Sequence, residues 1–535
     1  GSLPTAGMPR TSWVVCVAAC VASGVAAHVE RPAWRTRAHL STRSTASFRP
    51  SMRRFRAVAQ VRGDTVPIRI LEKESTTLSE GMPPMEAVGE DPPWQLWAVL
   101  SLSCLVTTIC ALDRVVMSVA IIPMAQEFLY SDTTKGAIAA SFSLGYCLAL
   151  LPTGLLCARQ SPKAVLGAGL VIWSIAQAAT PFAAEASTSA LFACRALMGV
   201  GEAACTPSIQ IIAANWVPAE YRSRFWGVLT AFYSLGTMLA LVATPPLMEA
   251  HGWPAAFTVF GSAGVVLALF WGAFASDAPA GGDPEACIPQ DGVGDTFLVE
   301  TGASSTTCED DGGFATAGGA LAEADKVPWG AILTSPPVWA LAVAHMASNF
   351  FNYFALSWLP TFFTDEYGLD VGGASDAALL PFAAGAVASA AAGSIADALV
   401  ERGLSLTKTR RMMQLIAALG PAACCVGLAF SHSFTHLDVN AAQGLFIGAV
   451  SASGFLAAGY GCSTQDIARR YAPLIYGATS ALAVISGAGA QYLTGALLDS
   501  NGADFSPLFA LAAAVEITGG LLYAVWWNSD RRMFE

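Results

Sequence analysis

The sequence predicts an all-α membrane protein, with twelve transmembrane helices arranged as two pseudo-symmetric six-helix halves. Three observations lead to that fold class. Hydrophobic residues make up 54% of the 535 and charged residues only 13%, with a positive mean hydropathy, a balance outside that of soluble proteins. From Trp94 onward, apolar segments of about 20 residues, each long enough to cross a ~30 Å hydrocarbon core, alternate with short polar breaks. A single long polar stretch, 276–330, divides these segments six from six.

The chain begins with what reads as an address. With Met8 as the start, Arg10, the apolar run from Trp13 to Ala27 and the small-residue end Val25-Ala26-Ala27 have the pattern of a signal peptide, spanning 1–27. The next segment, 28–63, carries Arg31, Arg35, Arg37, Arg43, Arg49, Arg53, Arg54, Arg56 and Arg62 among Ser and Thr, against the lone acid Glu30, which is transit-peptide composition. Signal followed by transit sequence resembles the bipartite leader of algae whose plastid lies inside the endomembrane system. A mitochondrial presequence behind a wrongly assigned start, and a basic disordered tail, are the alternatives. Residues 64–93, rich in Glu and Pro, read as a disordered linker before the first helix.

The twelve apolar segments fall at 95–122, 134–157, 163–183, 188–212, 222–248 and 254–275 in the first half (94–275), and at 336–363, 375–400, 409–430, 438–460, 472–498 and 505–528 in the second (331–530). Charge siding checks this count independently, because cationic loops stay on the side of insertion. The even-numbered connections and the C-terminal tail carry Arg159, Lys163, Arg222, Arg224, Lys326, Arg402, Lys408, Arg410, Arg411, Arg469, Arg470, Arg531 and Arg532; the odd-numbered connections carry Lys135 alone. The odd loops are acidic instead, with Asp365, Glu366, Asp370, Asp376, Asp499 and Asp504. A wrong helix count would scramble that alternation, so both termini and the acidic central loop belong on one side, called cis below.

Ionisable residues inside such segments are costly, by roughly 2.5 to 3.5 kcal/mol for an arginine on the lenient insertion scale, and call for a functional or pairing explanation. Arg195, Gly199 and Glu202 lie at i, i+4 and i+7 of the fourth segment and share one helix face. Their axial rise places Arg195 and Glu202 about 10 Å apart, too far for direct contact, so an anion or another helix's side chain lies between them. Arg114 interrupts the first segment. A guanidinium stays charged at any pH and offers a planar fork to two oxygens of a phosphate or carboxylate, whereas a carboxylate in low dielectric can exchange protons. Pairing that merely holds helices together is the other reading of all three, and close helix packing explains Gly199 and Gly201. Most of the thirteen cysteines sit in apolar runs without paired spacing, as small packing residues. Nothing in the chain has the pattern of a nucleophile with its base, a phosphate-cradling glycine loop or a metal-spaced cluster, which argues against an enzyme, a cofactor and a nucleic-acid partner.

The segments Asp113 to Met124, Arg195 to Glu202, Trp216 to Arg224 and Ile395 to Gln414 resemble the anion:cation symporter family of the major facilitator superfamily, with the plant plastid phosphate transporters as the nearest group. The resemblance covers about Trp94 to Trp527, and the 395–414 stretch is its most specific part. It implies anion recognition by Arg114 and Arg195, a proton-linked carboxylate at Glu202, and a match of His345 to a family histidine that can titrate near neutral pH. Tyr146, Asn349, Tyr353, Trp358, Tyr233 and Gln491 are polar or aromatic residues on the expected cavity helices and are candidates to line it. The chain departs from the pattern at Ala158 and at Ser161 or Pro162, where the superfamily carries aspartate and glycine, and at Leu150, Ser348 and Ser463-Thr464. The expected function is therefore a secondary transporter of a small anion, inorganic phosphate first, coupled to protons or sodium by rocking of the two halves in the lipid bilayer of a plastid membrane. An organic anion such as ascorbate or a carboxylate, and a non-transporting sensor or assembly partner, are the alternatives.

Overall fold

A computed structural model of the chain describes residues 94–217, 219–279, 328–434, 437–467 and 471–529. The signal-peptide, transit-peptide and linker readings, and most of the acidic central loop, lie outside these residues.

The described residues form helices and no strand. In hydrocarbon no water is present to satisfy backbone amides, so each crossing segment must satisfy them internally. The first half comprises α1 (Trp94–Phe128), α2 (Asp132–Arg159), α3 (Pro162–Ala186), α4 (Thr188–Glu202), α5 (Cys205–Trp216), α6 (Ala219–His251) and α7 (Trp253–Phe274). The second comprises the short α8 (Trp329–Thr334), then α9 (Pro336–Tyr367), α10 (Val371–Glu401), α11 (Leu406–Phe434), α12 (Val439–Ser453), α13 (Tyr460–Ile467), α14 (Ala472–Asn501) and α15 (Ser506–Trp526). Two crossings are built from two helices each, α4 with α5 and α12 with α13, which restores the expected twelve. Eleven of the twelve are long and apolar enough to cross a membrane by composition alone. The exception, α9, is 32 residues long, but its hydropathy is lowered by His345, Asn349, Asn352 and Tyr353.

Local sequence fixes the ends. Ser131, Ser161 and Ser187 cap α2, α3 and α4 by accepting from the backbone N–H groups of Thr134, Ala164 and Ala190, and Asp370 and Asp438 do the same for α10 and α12. Gly368 and Gly502 close α9 and α14 in the left-handed conformation that costs glycine nothing.

The two broken crossings are the fourth of each half. The first interrupts immediately after Glu202, where Ala203 and Ala204 form a tight turn before α5; the second runs from α12 through a 3₁₀ turn, Gly454–Ala458, into α13. Matching interruptions in corresponding positions of two repeats mark the neighbourhood of the transported species in secondary transporters.

The halves meet where α1 packs on α9, α2 on α14 and α6 on α10. Val115 and Val119 of α1 and Phe351 and Phe354 of α9 belong to one continuous buried cluster. The polar contacts that join the halves gather toward the side of the odd connections, called trans. There the backbone N–H groups of Asp132 and Thr133 donate to the Asp499 carboxylate at 3.0 and 2.9 Å, and Lys135 approaches Asp365 at 3.8 Å. Deeper in, Ser143 Oγ donates to Gln491 Oε1 at 2.7 Å. On the cis side the bonds run within a half: Arg410 pairs with Asp466 at 2.9 Å, and Arg411 donates to the carbonyl of Trp527.

The helix 2–3 connection, where the aspartate that the resemblance leads one to expect is absent, is held by a carboxylate from elsewhere in the first half. Asp277, just past the end of α7, accepts from Ser161 Oγ at 2.5 Å and from the Lys163 backbone N–H at 2.7 Å, so it caps α3 from outside. Ser161, whose hydroxyl is one of the donors, is one of the two positions where the resemblance leads one to expect glycine.

Candidate functional site

Arg114, Arg195 and Glu202 come together at the inner wall of the first half. Gly199 of α4 lies so close to α2 that a Cβ there would collide with the carbonyl oxygen of Phe142, and Gly145 faces the backbone of Ala196 in the same way. This close approach carries the aromatic face of α2 under α4. The Phe142 ring then lies between two guanidinium groups, 5.3 Å from that of Arg114 and 5.3 Å from that of Arg195, while Tyr146 sits 5.0 Å from Arg114. Cation–π contact with desolvated rings offsets part of the cost of placing two cations at this depth.

Glu202 is met by side chains of another helix. Arg114 of α1 donates from Nε to Glu202 Oε1, and Cys110, one turn earlier on α1, reaches the same oxygen at 2.9 Å. Glu202 is fully buried. Its second oxygen, Oε2, has no hydrogen-bond partner among the described residues. Arg195 is 2% exposed; it touches Met198 Sδ through Nη1 at 3.0 Å, and its Nε is unpartnered among the described residues. Arg114 is thus engaged by an internal carboxylate, and Arg195 keeps donor capacity.

Asp113, adjacent to Arg114 in sequence, is the residue the sequence reading undervalued. Its side chain is completely buried, near Arg195 and Glu202 and beside the Trp173 indole and Gln177 amide, though neither of these meets hydrogen-bond geometry with it. The cluster therefore gathers two guanidinium groups and two carboxyl groups. An Asp-Arg pair at the end of an apolar run was the available signal.

A cavity of about 40 Å³ opens beside this cluster, between the halves. Arg114, Phe142, Ser143, Arg195 and Lys135 line it from the first half, and Tyr353, Ser357, Trp358 and Gln491 from the second. Of the residues singled out from sequence, Arg114, Arg195, Tyr353, Trp358 and Gln491 are in its wall and Tyr146 stacks on Arg114. Asn349 is half-buried on α9, one turn before Tyr353, and does not line the cavity. His345 lies elsewhere, in a pocket of the second half, with its ring 4.6 Å from Tyr460 and 5.6 Å from Tyr476 and its Nδ1 3.4 Å from Thr479 Oγ1. The structure does not bring His345 to Glu202. Lys135 and Gln491 complete the wall, and Gln491 spans the halves through Ser143 on one side and Ser357 Oγ, at 2.7 Å, on the other.

Residues 103–480 match the family model described as Major Facilitator Superfamily. This chain belongs to that superfamily. Among curated relatives it is 32% identical over 454 residues to "Probable anion transporter 1, chloroplastic" of rice, covering 85% of this chain and 80% of the relative. It is also 32% identical over 445 residues to "Ascorbate transporter, chloroplastic" of Arabidopsis thaliana (82% and 77% covered), and 30% identical over 444 residues to "Sodium-dependent phosphate transport protein 1, chloroplastic" of the same plant (82% and 81%). These likenesses place the chain with the anion transporters of the superfamily rather than with enzymes. In fold it is similar to a bacterial homologue of the human lysosomal transporter Spinster, solved in an inward-facing and occupied conformation, with a TM-score of 0.62 and 18% identity over 84% of this chain and 100% of that one.

Proposed function

We propose that the chain is a secondary active transporter of a small anion, inorganic phosphate first, driven by a proton or sodium gradient across a plastid membrane. The observation that carries the reading is Arg195, a buried guanidinium in the wall of a cavity between the two halves, with donor capacity left over. A cavity of about 40 Å³ holds on the order of three water-sized volumes, the scale of one inorganic oxyanion. The relatives named for chloroplasts support the plastid placement, as does the composition of the leader.

Coupling follows from competition for Arg114. While Glu202 is ionised it holds Arg114, and an anion meets Arg195 with only part of the second fork. A proton, or a sodium ion beside the carboxylate, weakens that hold and releases Arg114 to the anion. Anion and coupling ion then favour each other's binding, which is the thermodynamic requirement for symport. Asp113 supplies a second carboxyl group within the same cluster, whereas His345, set among Tyr460, Tyr476 and Thr479 in the other half, stands apart from it.

Ascorbate or another organic anion is the second reading, favoured by the ascorbate-transporting relative. It requires the cavity to widen as the halves move. Uptake of labelled phosphate and labelled ascorbate into liposomes containing the chain, under separately imposed proton, sodium and voltage gradients, decides between them. Uptake of neither anion by folded protein under any gradient would reject both.

A further inference from the structure

Lys135 is the sole lysine or arginine of the odd connections, and it lines the cavity. It stands on the first turn of α2, and three carboxylates stand at this trans mouth. Asp132 pairs with it from its own helix, Asp365 faces it from α9 at 3.8 Å, and Asp499 of α14 caps the N-terminus of the same helix. Its ammonium also rests 5.6 Å over the ring of Trp358, whose indole N–H donates to the Gln491 carbonyl at 3.1 Å. Deeper along the same cavity wall lies Arg114.

Two of these partners, Asp365 and Trp358, belong to the second half, whereas Lys135 and Asp132 belong to the first. Parting of the halves on the trans side must therefore strip Lys135 of its cross-half carboxylate and of its aromatic cover while it stays on the cavity wall. At that moment a half-neutralised ammonium stands in a mouth otherwise lined by acids, which would repel an anion. Lys135 is the group that offsets that repulsion.

We propose that Lys135 is a trans-side anion-docking residue that exchanges Asp365 for the transported anion when the trans mouth opens, and hands it inward to Arg114 and Arg195. The proposal rests on the anion-transport reading above and adds a site that exists in one of the two access states. It differs from a simple latch in a sign. A latch loses the same ion pair whether Lys135 or Asp365 is neutralised, so both changes act alike. A docking residue loses the anion's partner in one case and the anion's competitor in the other.

The test measures KM for inorganic phosphate, and in parallel for ascorbate, from each side of liposomes holding the full chain in one orientation. Wild type, Lys135→Met and Asp365→Asn are compared. Lys135→Met is expected to raise the trans-side KM about tenfold, the scale of one charge-assisted contact, with the cis-side KM little changed, and Asp365→Asn to lower the trans-side KM. Shifts of the trans-side KM in the same direction for both variants, or none for Lys135→Met, would overturn the docking role and leave the transport reading standing. Failure of folded wild type to move either anion would overturn the transport reading and this one with it.

Discussion

Replacing Glu202 with glutamine keeps the size of the side chain and removes the negative charge that holds Arg114. In this structure an incoming anion must compete with that carboxylate for the guanidinium. A hydrogen bond to a charged group contributes about 1.5 to 3 kcal/mol, so removing the competitor should tighten anion binding by about tenfold to a hundredfold. Arg114 keeps 17% of its side-chain surface exposed, which screens the pair and favours the lower end of that range. The same change removes the group that makes anion binding depend on the coupling ion. Two transport modes separate these effects. Counterflow, in which labelled anion exchanges for unlabelled anion with no gradient imposed, should persist with a lowered KM. Uphill accumulation driven by the gradient that serves wild type should disappear. A Glu202→Gln protein that still accumulates anion uphill at the wild-type rate would refute the competition argument, and lost counterflow in folded protein would make Glu202 part of the binding site itself.

Other consequences are open to simpler measurements. Arg195→Lys keeps the charge but loses the planar fork, so the KM should rise clearly while the protein still inserts; an unchanged KM would show that the fork is not used. Gly199→Val should lower the thermal unfolding temperature in detergent, because its side chain meets the Phe142 carbonyl and forces α2 and α4 apart, an overpacking cost of about 1 to 3 kcal/mol; an unaltered transition would contradict the close approach. Asp277→Ala removes the external cap of α3 and should cost about 1 kcal/mol of stability, with little change in transport KM. His345→Gln should slow turnover and leave the dependence on the coupling ion intact, since its ring is held by Tyr460, Tyr476 and Thr479 away from Glu202. Loss of that dependence would put His345 on the coupling route.

Sequence reasoning reached the number of the crossings because it follows from the bilayer itself, whose thickness sets segment length; the sidedness remains the expectation that loop charge gives. It did not reach the facing of the helices. In water an amphipathic stripe shows which side is buried, but lipid and protein core are both apolar, and the residues of α1 or α10 carry no such stripe. The break after Glu202 was also invisible, since Gly199-Val200-Gly201-Glu202-Ala203-Ala204 reads as continuous helix and the interruption depends on packing against α2 and α3. Arg195 and Glu202 stood out because a charge in hydrocarbon demands an explanation. The pairing of Glu202 with Arg114 did not, because nothing in one helix states which side chain a neighbour will present. Lys135 was legible as a lone cation in an acidic set of loops, while its place in the cavity wall depended on how α2 packs on α14.

The most direct test of the account is gradient-driven uptake by Arg195→Ala beside wild type, in liposomes where equal insertion and folding of the two have been verified. The account predicts anion uptake by wild type that follows one imposed ion gradient, and none by the variant. Uptake by Arg195→Ala with the wild-type rate and KM would contradict it, because the buried guanidinium with spare donor capacity would then be holding helices together rather than holding the anion.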